Sequence, residues 1–157
     1  MVHLISQWIT ATNQHFAHQR LPCSRFSGPF TGFYSPEFLA SSYYVVTEHL
    51  PKPDYPELRA AGFSDFIDMP ASAITYVDTY YITPAAMASL RTHFHELVHV
   101  QQWLQLGQEG FIARYMAELG QHGYDQAPLE RMAYELDGHF NARGAALPVA
   151  QFVAKNL

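Results

Sequence analysis

The chain has one cysteine, Cys23. One thiol can neither close an intrachain disulfide nor build a thiolate metal site, so any metal would have to rest on histidine and carboxylate. Basic charge is also scarce: nine Lys plus Arg, scattered without a run, in a chain of net charge −5. Neither nucleic acid nor an anionic membrane surface is an expected partner for such a surface. No stretch approaches the roughly 18 apolar residues of a membrane span. The opening Met-Val-His-Leu-Ile-Ser-Gln-Trp lacks the basic start and long apolar run of a secretory signal. A soluble, cytoplasmic protein is the resulting expectation. Repeats and low-complexity segments are absent too, and 157 residues read most simply as one domain, 1–157. Hydrophobic residues make up 48% and aromatics 15%, enough for a folded core.

Histidine is plentiful, with nine in the chain. Three lie in Arg-Thr-His-Phe-His-Glu-Leu-Val-His-Val-Gln-Gln-Trp-Leu-Gln-Leu, residues 91–106, which contains His95-Glu96-x-x-His99. Leu90, Phe94, Leu97, Val98 and Leu104 recur at helical spacing, no Gly or Pro interrupts residues 85–106, and Gly107 is a natural stop. On a helix His95 and His99 point to the same side one turn apart and can share a Zn²⁺. Glu96 beside them can act as general base toward a water activated by the metal. At this chain's His and Glu frequencies such a match arises by chance about 0.03 times. The competing reading is a charged helix face that binds nothing. His93 falls on the other side of the helix from His95 and is excluded as a ligand.

The remaining segments supply a frame. Residues 3–20 read as a first helix ended by Pro22, with His15 and His18 in a surface or packing role. Residues 21–36 read as a loop anchored by Phe26, Phe30, Phe33 and Tyr34. Tyr43–Thr47 is β-type, residues 50–56 are a stiff proline-rich connection, and residues 58–63 are a helical turn. Residues 73–83 read as one strand ended by Pro84, with Ile74, Tyr76, Asp78 and Tyr80 on one face. A strand feeding the motif helix can run beside the site as a sheet edge able to pair with an extended peptide. Helices are expected over 109–121 and 128–141, the second starting at Pro128 and burying Leu129, Met132, Ala133, Leu136 and Phe140.

A third ligand is needed. The spacing His-Glu-x-x-His-x-x-Gly-x-x-His is absent, since Gln102 and Gln105 stand where that Gly and His would be. Glu118, Glu130 and Glu135 lie on later helices that can pack against the motif helix. Glu130 leads, because the small Ala133 one turn on lets its helix approach closely. Glu118 and Glu135 stay open.

His-Glu-Leu-Val-His-Val-Gln-Gln at 95–102, followed by Gly-Tyr-x-x-x-Pro-Leu-Glu-x-x-Ala-Tyr at 123–134, resembles small bacterial zincin-like metallopeptidases of the glutamate-ligand type. The resemblance covers roughly residues 73–140. It implies an α+β, zincin-like fold: a small mixed sheet packed on the motif helix, with further helices C-terminal to it. It also implies zinc, and the glutamate of the second block, Glu130, as third ligand. The expected activity is zinc-dependent hydrolysis of a peptide or protein substrate, with His95, His99 and Glu130 on the metal and Glu96 as base. Tyr124 is the first choice of donor to the tetrahedral oxyanion, ahead of Tyr134, His122 and His139. A metal-holding protein without hydrolytic activity, and a metal-free helical domain, are the alternatives.

Overall fold

The computed structural model describes residues 1–157. Helix α1 (Val2–His15) buries Ile5 and Ile9. It stops at His15 rather than running to residue 20. There Phe16 leaves the helix to pack its ring edge-on against Tyr81, 5.3 Å between centroids, so Pro22 plays no part in ending it. Strand β1 (Leu21–Pro22) and a 3-10 turn (Cys23–Phe26) follow, and Phe26, Phe30, Phe33 and Tyr34 are buried as the loop's anchors. Helix α2 (Pro36–Ala40) starts where the Ser35 hydroxyl accepts from Phe38 N–H. The β-type run that follows is strand β2 (Tyr43–Val46). Two short helices come next, α3 (Pro56–Ala60) and α4 (Ser64–Asp68), the second not foreseen in the sequence.

Residues 73–83 are not one strand. They form a hairpin of β3 (Ala73–Tyr76) and β4 (Thr79–Ile82), joined through Val77 and Asp78. Val77 lies at φ 64, a left-handed conformation rare for a β-branched residue. With no Gly, Asn or Pro at the turn, the composition gave no sign of it. The four-stranded sheet has the order β1-β2-β4-β3 and is mixed: β2 and β4 are parallel, the other pairs antiparallel. Strand β3 is thus an edge.

Helix α5 (Leu90–Leu106) does not follow the strand at once. Ser89 opens it by accepting from Thr92 N–H, and Gly107 at φ 77 ends it. Every residue from His93 through Trp103 is buried, because β3, α6 (Gln108–His122), α7 (Pro128–Asn141) and α8 (Val149–Asn156) surround it. Leu90 and Leu104, expected on its apolar face, are 39% and 62% exposed, lying beyond that packed middle. Helix α8 was not foreseen either. It is short, follows Pro148, and buries only Val149 and Val153. No helix is long and apolar enough to cross a membrane. The architecture is α+β, with a small mixed sheet beside α5 and three helices after it.

Candidate metal centre

Helix α5 presents His95 and His99, and α7 brings Glu130 to them. Ala133, fully buried one turn beyond Glu130, leaves room for the two helices to pack. His95 Nε2 and His99 Nε2 are 3.2 Å apart. Glu130 Oε1 lies 3.2 Å from the first and 3.1 Å from the second. These three side chains form a buried group that can hold a metal ion.

The partners of the other ring nitrogens decide what the three atoms offer each other. His95 Nδ1 donates to Asp137 Oδ2 at 2.7 Å. His99 Nδ1 donates to Gln102 Oε1 at 2.8 Å, and the amide orientation is fixed because Gln102 Nε2 donates to Leu129 O. In the neutral imidazoles this leaves the Nε2 lone pairs of both rings turned toward one carboxylate oxygen. Three acceptors meet with no donor of the chain between them, an arrangement that suits a cation. Hydrogen-bonded Nδ1 partners of this kind are how proteins orient histidine ligands.

Electrostatics agree. Burial alone pushes the His95 imidazole down, but hydrogen bonds to Asp137 and Glu130 outweigh it and lift the pKa to about 10. His99 is likewise raised, its burial overcome by Glu130. Burial raises the Glu130 carboxyl, yet the attraction of His99 and hydrogen bonds from both rings hold it well below the carboxylate range. Without a metal, this centre attracts protons in its place. Tyr115 donates to Glu130 Oε2 at 2.6 Å, which leaves Oε1 as the atom facing the histidines.

Glu96 is 6% exposed, beside the triad but outside it. Its Oε1 accepts from the Thr75 hydroxyl of β3 at 2.8 Å, and its Oε2 stands 4.0 Å from His95 Nε2. Burial raises its pKa. Tyr124 and Tyr134 hydrogen-bond to each other at 3.1 Å, and the Tyr134 ring sits 4.6 Å from that of His95. Burial raises both phenols, so they remain O–H donors at neutral pH.

The other candidates stand elsewhere. Glu118 accepts from Leu129 N–H at 2.8 Å and so caps the first turn of α7; it also pairs with Arg114. Glu135 and His122 are exposed. His139 Nε2 donates to Ala145 O. His93 points away from the triad, its two nitrogens bound to Tyr80 and Met87. Asp137, Gln102, Tyr115 and Thr75 escaped sequence reasoning. A signal existed for Asp137: it lies seven residues after Glu130, on the same face of an amphipathic helix. Gln102 and Tyr115 gave none.

Comparison of the chain with protein-family models, with characterised proteins and with solved structures finds no match.

Proposed function

We propose that the chain is a zinc-dependent peptidase with a zincin-like fold, in which His95, His99 and Glu130 hold the ion. The observation that carries this reading is the convergence of two Nε2 atoms and one carboxylate oxygen at 3.1–3.2 Å. Tetrahedral zinc with ligands near 2.0–2.1 Å has ligand–ligand edges of about 3.3 Å, so the separations fit this metal. Two imidazoles and one carboxylate are also the ligand set of zinc peptidases that keep a fourth position open. Zinc bound there would lower the pKa of a water toward ~7 and polarise a substrate carbonyl.

The chain's own residues supply the rest. Thr75 fixes one oxygen of Glu96 and leaves Oε2 on the side of the histidines. From there Glu96 takes the proton of the attacking water as the new C–O bond forms, then passes it to the amine nitrogen as the C–N bond breaks. Tyr124 and Tyr134 are paired through their hydroxyls, which leaves one free O–H, Tyr124's by preference, to donate to the carbonyl oxygen as it gains charge. Asp137 and Gln102 hold the two imidazoles in the ligand tautomer. The edge strand β3 beside Glu96 offers backbone groups along which an extended peptide can lie.

The test is metal content by mass spectrometry, then hydrolysis of a mixed peptide library. About one zinc per chain, lost in His95→Ala/His99→Ala, is expected. Glu96→Gln should keep the zinc and lose at least about 100-fold in hydrolysis. Full activity in that variant would sink the mechanism. Stoichiometric zinc without turnover of any peptide would make the chain a metal-holding protein.

A further inference from the structure

An open cleft of about 500 Å³ lies against the candidate centre, bordered by Ala73 of the edge strand β3, by His95, Glu96, Tyr124 and Tyr134, and by Arg91. Arg91 is the only Lys or Arg on its wall. The Arg91 side chain is 49% exposed and is tied down at one point, where Nε donates to Asp137 Oδ1 at 2.7 Å. The other Asp137 oxygen accepts from His95 Nδ1, so both oxygens of that carboxylate are taken. Neither Nη of Arg91 has a hydrogen-bond partner in the chain. The α7 residue nearest Nη2 is a glycine, Gly138, where a Cβ would stand 3.7 Å from that nitrogen. Glycine weakens a helix, and here it leaves the guanidinium uncovered. The bond to Asp137 thus fixes the plane of the guanidinium, while the two Nη groups at its end stay open. A carboxylate fits such a pair with two parallel hydrogen bonds.

We propose that Arg91 binds the free α-carboxylate of a peptide, so that the centre removes residues singly from a C-terminus. The proposal rests on the reading of the site as a peptidase. Three observations select this ligand. In a chain of net charge −5, Arg91 is the one fixed cation at the cleft, and the Glu96 carboxylate there repels an anion placed elsewhere. Arg91 also precedes His95 by one helical turn, about 6 Å along the axis, and both side chains converge on Asp137. One peptide residue of about 3.5 Å and a hydrogen bond of about 2.9 Å cover that step, so a carboxylate on Arg91 brings the last amide carbonyl to the histidines. Finally, a peptide extended along β3 keeps its terminal carboxylate in line with its backbone, whereas Asp and Glu side chains stand off the pleat. Hydrolysis then puts the water oxygen on the new carboxylate of the shortened peptide. The proton carried by Glu96 goes to the amine of the released amino acid.

The experiment has a binding arm and a cleavage arm, both on the full chain. For binding, the chain is ¹⁵N-labelled at arginine and titrated with N-acetylglycine and with N-acetylglycinamide. The Nε resonance of Arg91 is assigned by its loss in Arg91→Gln. The acid should move that resonance and the amide should leave it in place. For cleavage, a library of pentapeptides is supplied as free acids and as C-terminal amides at saturating zinc, with products read by mass spectrometry. The acids should be cleaved about 100-fold better in kcat/KM, losing one residue at a time from the C-terminus. In Arg91→Gln, checked for zinc content and for folding by circular dichroism, that ratio should fall to about one. Arg91→Lys, with the charge but not the fork, should fall between. Damage to the fold or to the metal slows acids and amides alike and leaves the ratio where it was. An acid preference unchanged in Arg91→Gln therefore overturns the proposal. So does cleavage of amides ending in Asp or Glu as fast as the free acids, which would assign Arg91 to a side-chain carboxylate. Equal cleavage of acids and amides, with the Arg91 resonance unmoved, removes the carboxylate site and leaves the peptidase. A shift with N-acetylglycine alone, but no cleavage of any peptide, removes the peptidase and leaves the carboxylate site.

Discussion

Three histidines of α5 are buried, and they sit on two faces of one helix in opposite states. On one face His93 has both nitrogens engaged: Nδ1 accepts from Tyr80 O–H, and Nε2 donates to Met87 O at 2.8 Å. Cys23 extends that chain by donating its thiol to Tyr80 Oη. Burial lowers the His93 pKa, which leaves a neutral, satisfied core histidine. On the other face His95 and His99 each use one nitrogen on a partner and turn the other toward Glu130. Burial is nearly the same for all three, from 1% to 7% exposed. The number of ring nitrogens the chain itself satisfies separates a structural histidine from a candidate ligand.

Substitution at the two faces should give opposite readouts. His93→Ala leaves a cavity and an unpaired Tyr80 hydroxyl, so unfolding in urea should show a loss of about 3 kcal/mol with the metal content of folded protein unchanged. Metal lost together with stability would break the distinction. Asp137→Asn removes the carboxylate behind His95 without touching the triad. Competition with a chromophoric chelator should show metal affinity reduced about 10–100-fold. Glu118→Ala removes the group that caps α7 from the neighbouring helix. Thermal melts should show about 1 kcal/mol lost, and metal stoichiometry should stay the same. Metal lost on this substitution would return Glu118 to the ligand set. The smallest effect is expected at Cys23, where burial pushes the thiol up to about 12. At pH 8 it should resist a disulfide reagent in the native chain and react at once in denaturant.

Much of the centre was legible because helices carry their own register. His95, Glu96 and His99 follow from a four-residue spacing, whereas a proline-started helix with a small residue one turn on only set Glu130 ahead of Glu118 and Glu135. The boundaries of α7, Pro128–Asn141, come from the same cues. What stayed hidden depends on tertiary packing. Gln102 reads as an ordinary helix glutamine until α7 places Leu129 O within reach of its amide. Thr75 reads as a strand threonine until the hairpin turns its hydroxyl to Glu96. The hairpin was missed for a local reason: Val77 and Asp78 continue a β-type composition through the turn. Helix α8 was missed because two buried valines make too short a stripe to stand out.

The turn at Val77 has a further consequence. A left-handed backbone at a β-branched residue costs about 1–2 kcal/mol, which a glycine there would avoid. The strand on one side of this turn carries the Thr75 hydroxyl that holds Glu96 in place. The hold of Thr75 on the Glu96 carboxylate therefore depends on a hairpin closed against the backbone preference of its own turn residue.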